Sequence, residues 1–345
     1  MKRIILGLAV AVIVVWGGRS LFAAYEVRLL QAPESWPEKG AALFEIKSGQ
    51  GAGAVASALE DKGLIRSSWA FRRLLGRKGW DSRLKPGMYR IDENSDSEAI
   101  GRKLVEEGAW RIRVSIPEGL TVSQIADRLE KAGADDDGRF LPTAEEFVRA
   151  ATALQVKKAT GHKVPTKSAE GYLYPATYQI PAGSSAEDVV ARLTEQFAKS
   201  FSSAHRDEIA KSPLSLHELV TLASIVEREA ASDKERPRVA QVFLNRLEKG
   251  MKLESCATVQ YALPRHKARL LYADLKIDSP YNTYIHQGLP PGPICSPGKA
   301  SLLAALRPEK TEALYFVSKG DGTHVFSNTF AEHQQAISRI RGAGN

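Results

Sequence analysis

Apolar residues recur at helical spacing over residues 216–226, which is the most regular hydrophobic pattern in the chain. One helical face consists of Leu216, Leu219, Val220, Ala223 and Val226. Ser215 and Glu218 form an S-x-x-E capping box where this pattern begins. The sequence therefore predicts a helix over 216–230, and the next position on its apolar face is Glu227.

Glu227 is a candidate general acid because of that position. Burial disfavours the ionised form of a carboxyl group, and a carboxyl group that keeps its proton near neutral pH can protonate a leaving group. The alternative is that the helix ends here and Glu227 points to water. Glu229 lies roughly 200° around the helix, on a face that begins with Glu218. We expect Glu229 to be the more solvated of the two, or to hold a neighbouring residue in place.

Shorter strand and helix patterns alternate before this helix. A strand, a Gly-rich turn and a helix over 43–62 are repeated over 111–132, and a strand and helix over 87–107 recur over 174–201. The repetition predicts a small α/β module built twice. After residue 214 come two helices, a long segment rich in Tyr, Asn, Gly and Pro, a short helix and a hairpin. The predicted fold class is α+β, with a mixed α/β C-terminal domain that carries Glu227 on a helix.

The N-terminus predicts a membrane anchor. Residues 4–25 are mainly apolar and only Arg19 is charged, and about 20 such residues span a bilayer. Lys2 and Arg3 favour a cytoplasmic N-terminus, so the rest of the chain would lie outside the cytoplasm. A cleaved signal peptide with its site near 21–24 is the alternative. The predicted parts are an anchor at 1–25, a linker at 26–40, the repeated module at 41–165 and the C-terminal domain at 166–345.

The charge and composition of the chain limit the classes of partner that we expect it to bind. The net charge is +8 and the pI is about 9.3, which favours nucleic acid, anionic lipid or an anionic wall polymer. The basic residues are dispersed and no RNA-binding signature accompanies them, so we do not expect nucleic acid. The histidines show no H-E-x-x-H or similar spacing, and we expect neither a metal nor a cofactor.

The Tyr- and Asn-rich segment is suited to sugar binding. Tyr offers a flat apolar face with a hydroxyl, and an amide offers both a donor and an acceptor. The alternative is a rigid loop whose Tyr and Asn side chains satisfy one another. The candidates for positioning a glycan are Gln260, Tyr281, Asn282 and Tyr284, together with Glu229 on the helix.

Four ordered motifs carry a resemblance to a known family. They are 170–178 (EGYLYPATY), 222–229 (LASIVERE), 281–284 (YNTY) and 288–294 (GLPPGPI). The chain resembles the YceG-like endolytic murein transglycosylases from its N-terminal anchor to about His333. The resemblance implies a single-pass protein of the bacterial inner membrane with a periplasmic LysM-like module and catalytic domain. It further implies cleavage of nascent peptidoglycan strands, 1,6-anhydro ends, association with peptidoglycan synthases, and Glu227 as the catalytic residue.

Two positions depart from the family pattern. Cys256 and Ala257 stand where an Asp-Pro pair is usual, and Ala176 replaces a frequent Asp. Any role of those Asp residues is therefore in doubt for this chain. Cys256 and Cys295, the two cysteines, both lie in predicted groove segments, and we hypothesise that they are close enough to pair, although free buried thiols are equally consistent with the sequence.

Two rival functions remain open from the residues. A lysozyme-like hydrolase would need a second carboxyl group across the scissile bond, and Glu254, Asp274 and Asp278 are candidates. A non-catalytic peptidoglycan-binding scaffold would need no acid at all. In the lytic transglycosylase, Glu227 would act as acid and then as base, while the sugar's own C6 hydroxyl attacks C1.

Overall fold

The computed structural model describes residues 2–37, 40–135 and 138–343, and for residues 2–13, 135 and 343 it describes the backbone alone. Over these residues the chain forms fourteen α-helices and eight short strands. The predicted α+β class is confirmed. The chain divides into two compact units, Met1–Ile112 with Pro181–Gly183, and Arg113–Ile180 with Ser184–Asn345.

The first unit is built around one small antiparallel sheet. Its elements are α1 (Lys2–Leu30), β1 (Ala41–Ile46), α2 (Ala52–Asp61), α3 (Ser68–Lys78), β2 (Gly87–Asp92), α4 (Ser97–Arg102) and a π-helical turn (Lys103–Glu107). β1 pairs with β2, and Phe44 lies opposite Tyr89. Both side chains are buried with Phe71 of α3 and Leu59 of α2. Alternate strand residues therefore face the helices and form the core of this unit.

α1 is longer than the predicted anchor. It continues to Leu30, so the predicted linker at 26–40 begins inside a helix. Glu26 explains the extension, because its buried carboxylate pairs with Arg73 and Arg77 of α3. Met1 and the side chains of residues 2–13 of the predicted anchor lie outside the described residues. Within the described part of the chain, no helix combines the length and the apolar character that crossing a bilayer requires.

The second unit begins with another two-stranded sheet. Its first elements are β3 (Arg111–Ile116), α5 (Val122–Ala132), β4 (Ala134–Asp135), β5 (Gly138–Arg139), α6 (Ala144–Ala150), α7 (Ala153–Thr160), β6 (Ala176–Pro181), α8 (Ala186–Phe197) and a π-helical turn (Ala198–Ser202). β3 pairs with β6, as β1 pairs with β2 in the first unit. The two sheets correspond to the repetition seen in the sequence.

The remaining elements of the second unit are mainly helical. They are α9 (Arg206–Lys211), α10 (Leu216–Glu229), α11 (Arg236–Glu248), α12 (Cys256–Ala262), a 3₁₀ turn (Asp274–Lys276), α13 (Lys299–Leu306), β7 (Tyr315–Ser318), β8 (His324–Ser327) and α14 (Phe330–Ala343). α10 packs on α11 and α13, and β7 and β8 form an antiparallel hairpin. The helix that carries Glu227 is therefore central to this unit.

The division between the two units lies at Ile112, whereas the sequence placed a module boundary at residue 165. Two interactions explain the difference. β3 pairs with β6, and α5 and α8 both pack against α6. The second half of the repeat is thereby joined to the residues that follow it.

Candidate active site

α10 begins where its sequence predicts and ends one residue earlier, at Glu229. Ser215 and Glu218 form the reciprocal capping box, with side chain to backbone distances of 3.3 and 2.8 Å. Every residue from Leu219 to Val226 is buried. The Glu227 side chain is only 7% exposed, which excludes the alternative that it points to water.

Three donors surround the Glu227 carboxylate. Its Oε2 accepts hydrogen bonds from the backbone N–H of Gly298 at 2.9 Å and from the hydroxyl of Ser301 at 2.8 Å. Its Oε1 lies 3.2 Å from Nη1 of Arg236. Gly298 and Ser301 belong to the start of α13, and Arg236 is the first residue of α11. Glu227 is thus fixed at the meeting point of three helices.

Arg236 is a functional residue that the sequence reasoning missed. Its side chain is 8% exposed, and it donates to the hydroxyl of Ser301 and to Asp233 as well as pairing with Glu227. A buried guanidinium is stable only when it is fully paired. Its position directly before Pro237, at the predicted start of a helix, is the only signal that the sequence offered.

Glu118 brings a second carboxyl group to the same place. Gly119 N donates to Ser296 O and Ser296 N donates to Leu120 O, both at 2.8 Å, so the 118–120 turn is bound to the segment before α13. A Cβ atom at Gly298 would overlap the Glu118 carboxyl group. Burial, and next to it the charge of Glu227, raises the pKa of Glu118 above its ordinary value. Glu118 and Glu227 therefore converge on one glycine.

Two of the carboxylates that were considered as partners of Glu227 are engaged elsewhere. Glu254 lies 3.4 Å from Arg246, and Asp274 forms an ion pair with Lys267 at 2.6 Å. The third, Asp278, is exposed. Glu118 is instead the carboxyl group that shares Gly298 with Glu227.

Glu229 points to another surface of the second unit. Its Oε1 accepts a hydrogen bond from Ser255 at 2.5 Å, as expected of a residue that holds a neighbour in place. Tyr284 donates to or accepts from Cys256 at 3.2 Å. Glu229, Ser255, Cys256 and Tyr284 line a pocket of about 340 Å³. Two of the predicted glycan-positioning residues, Glu229 and Tyr284, therefore lie together.

Gln260 lines a different pocket, of about 410 Å³, beside Gly119 and Arg228. Its amide bonds both the N–H and the C=O of Lys267, so it also shapes the loop after α12. The same pocket contains Glu170, which accepts bonds from Val122 N and Tyr261, and burial raises the pKa of Glu170 to about 7. Gly119 connects this pocket with the Glu227 site, because it also lies next to Glu227.

Asn282 is buried inside its loop, and Tyr281 packs against another tyrosine. Asn282 is fully buried, its Nδ2 donates to Leu275 O and Ile277 O, and its Oδ1 accepts from Tyr284 N. An amide with no exposed atoms does not touch a glycan, so its predicted direct contact is corrected to a loop-shaping role. The Tyr281 ring packs on Tyr261 at 4.8 Å, in the arrangement of Tyr side chains that satisfy one another.

We expect Asn282→Ala to destabilise the protein by about 2–4 kcal/mol, since two carbonyl groups and one N–H lose their buried partner. Denaturant unfolding measures this change. Gln287→Ala is the control, because this exposed amide makes one bond to Gly250 O and should cost under about 1 kcal/mol. A stable Asn282→Ala protein with a selectively raised KM would restore the direct glycan contact.

The hypothesised cysteine pair is not formed. Both thiols are free, Cys256 exposed beside Tyr284 and Cys295 buried against Ser224. The two groove segments hold their cysteines in different surroundings. Burial raises the pKa of the Cys295 thiol well above its ordinary value, which disfavours the reactive thiolate.

Thiol labelling of the unreduced protein should therefore proceed in two steps. One equivalent of reagent reacts quickly with native protein at Cys256, and a second reacts with Cys295 only in denaturant. Cys256→Ser is the control that removes the fast step. Failure to label either thiol after unfolding without reductant would mean that the cysteines are paired.

The arrangement suits acid–base chemistry on a bond that lies beside Gly298. Glu227 has fixed oxygens, a buried cation on one of them and a second carboxyl group nearby. A proton held by such a group can pass to a leaving oxygen, and the resulting carboxylate can accept a proton in turn. Donors that fix a catalytic carboxylate also reduce the reorganisation that the reaction requires.

Comparisons with known proteins identify the family of the chain. The model of the YceG-like family matches residues 44–339. The endolytic murein transglycosylase of Bacillus subtilis is 36% identical over 341 residues, which cover 95% of this chain and 92% of that protein. The endolytic murein transglycosylase of Streptococcus pneumoniae is 28% identical over 85% of the chain and 57% of its own length. A crystal structure of a yceG-like protein from Listeria monocytogenes has a TM-score of 0.59 and 33% identity, and covers 86% of this chain and 99% of that one. The chain belongs to the YceG-like family.

Proposed function

We propose that the protein is an endolytic peptidoglycan lytic transglycosylase. It cleaves the β-1,4 bond between N-acetylmuramic acid and N-acetylglucosamine inside nascent glycan strands and leaves 1,6-anhydro-muramyl ends. The observation that carries the proposal is the buried Glu227, held by Arg236, Gly298 and Ser301 at the end of α10. The names of the Bacillus subtilis and Streptococcus pneumoniae relatives support the substrate.

The reaction uses Glu227 as acid and then as base, and it consumes no water. Glu227 gives its proton to the glycosidic oxygen as the bond to C1 of the muramic acid breaks, and the electron pair of that bond stays with the oxygen. The sugar in the transition state resembles an oxocarbenium ion. The C6 hydroxyl of the same sugar then attacks C1, and the Glu227 carboxylate takes the hydroxyl proton. Attack from within the substrate benefits from proximity.

A hydrolase is the second candidate, because Glu118 provides the second carboxyl group that a hydrolase needs. The chemical form of the new glycan ends distinguishes a lytic transglycosylase from a hydrolase. Full-length protein in detergent should be incubated with purified glycan strands, and the ends read by mass spectrometry. Anhydro-muramyl ends support the lytic transglycosylase, whereas ordinary reducing ends support the hydrolase. Intact strands at every protein concentration would leave the binding scaffold as the function.

We further propose a single-pass anchor at residues 1–25. The catalytic domain then lies on the periplasmic side of the inner membrane, and residues 41–165 serve as a LysM-like module. Exposed apolar residues of α1, including Trp16, Leu21 and Phe22, support the anchor. Peptidoglycan synthases are the proposed partners. Membrane fractionation, with protease added to intact and to opened cells, tests the location, and recovery of the protein in the cytosol would contradict it.

A further inference from the structure

We propose that Glu118 is a second acid–base group of this site, and that Glu118 and Glu227 share one catalytic proton. The inference rests on the proposed lytic activity and adds to it how the acid stays loaded. Its starting point is geometric: both carboxyl groups lie against Gly298, at the N-terminus of α13.

The Glu227 carboxyl group is held at both oxygens. Arg236 supplies a positive charge at 3.2 Å from one, and Gly298 N–H and Ser301 O–H donate to the other. These contacts fix the position of the carboxyl group. A second carboxyl group close to Glu227 that can hold a proton therefore has a direct influence on the acid–base chemistry of the site.

Glu118 supplies that influence. The charged and titratable groups around the 118–119 turn are Tyr174, Glu227, Arg228, Asp233 and Arg236. Burial and the charges of Glu227 and Asp233 raise the pKa of Glu118, while Arg236 and the backbone N–H of Lys299 lower it, and the net direction is upward. Two neighbouring carboxyl groups do not both ionise readily, so a proton is retained at Glu118 beside Glu227.

The proton balance of the cycle is consistent with this role. The pair begins with one proton, which passes to the glycosidic oxygen as the C1–O bond breaks. The C6 hydroxyl forms the new bond to C1 and releases its proton to the pair. The pair then holds one proton again, and no water or other reactant is consumed. Activity therefore requires the singly protonated pair and falls when a rise in pH removes that proton.

Glu118→Gln tests the role through the pH dependence of kcat. Without Glu118, whose pKa is raised, the site loses its proton at lower pH, so the alkaline limb should move down by about one unit or more. Turnover of Glu118→Gln at pH 5 should stay within about tenfold of the wild type. At pH 7.5 its turnover relative to the wild type should be lower by a further tenfold or more. Glu118→Asp keeps the charge and should return the limb toward its wild-type position.

Two further variants separate the effect of the Glu118 charge from effects on packing. Gly298→Ala places a methyl group where the Glu118 carboxyl group lies, and should displace that flexible side chain and shift the limb in the same direction. Glu187→Gln removes an exposed carboxylate on α8 and should leave the profile unchanged. Equal loss of turnover at every pH in Glu118→Gln, with an unmoved limb, would overturn the proposal. Wild-type protein that forms no anhydro ends would instead refute the proposed function.

Discussion

Glu227→Gln should lose at least about a thousandfold in the rate at which anhydro-muramyl ends form. General acid–base catalysis by one group contributes about 10²–10⁴, and here the same group acts in both the cleavage and the closure step. Gln is nearly isosteric, and its one amide oxygen can still accept from Gly298 N and Ser301, but its NH2 group then faces Arg236. The loss should therefore combine the missing proton with the lost ion pair to Arg236.

Glu229→Gln is the matched control, since it lies two residues away on α10 and bonds Ser255 instead of the catalytic centre. We expect its rate to stay within about tenfold of the wild type, the scale of one modest hydrogen bond. Both proteins should still sediment with insoluble peptidoglycan, which shows that they are folded and bind the polymer. Equal rates for wild type and Glu227→Gln would favour a scaffold, and a larger loss in Glu229→Gln would exchange the roles of the two residues.

Glu227 could be predicted from the sequence because the pattern that identifies it is local. The capping box sets the start of α10, and the helical period places Glu227 at the end of the buried face. Both features follow from interactions within a few residues of each other. The repeated strand and helix patterns were local in the same way, and they became the β1–β2 and β3–β6 sheets.

Glu118 could not be predicted from the sequence, because its contacts are not local. Its partners at 227, 236 and 298 are distant in sequence, and the residues 118–119 by themselves indicate only a turn. Arg236 likewise becomes meaningful only when α11 and α13 meet α10. Asn282 shows a different limit, because an amide in a Tyr-rich loop fits glycan binding and loop bracing equally well until its burial is known.

The sequences of α7 and α12 carry patterns too weak to predict a helix. α7 lies in a polar stretch with Lys157 and Lys158, and only Val156 is buried within it. α12 spans seven residues and buries Thr258 and Val259 alone. Helices this short are stabilised mainly by tertiary contacts, so the amphipathic pattern that identified α10 is absent from them.

Gly171→Ala should lower the free energy of unfolding by about 2–5 kcal/mol. Gly171 has φ +85°, a left-handed conformation that costs a residue with a Cβ about 1–2 kcal/mol. The added methyl group would also overlap the ring of Pro293 and approach Val220 Cγ1 at 3.0 Å. A proline ring and a buried β-branched side chain cannot move aside as a flexible carboxylate can, so overpacking adds about 1–3 kcal/mol.

Gly171 connects the stability of the protein with the candidate site. Gly171 follows Glu170 of the 410 Å³ pocket, and it contacts α10 through Val220 and the segment before α13 through Pro293. Gly250→Ala is the control: its φ of +64° imposes the same backbone cost, and no atom lies within 4 Å of the added methyl group. Denaturant unfolding of both variants isolates the packing contribution. Equal losses would mean that the Pro293 segment yields to the methyl group, and that the wall of the site facing Gly171 is less rigid than its contacts indicate.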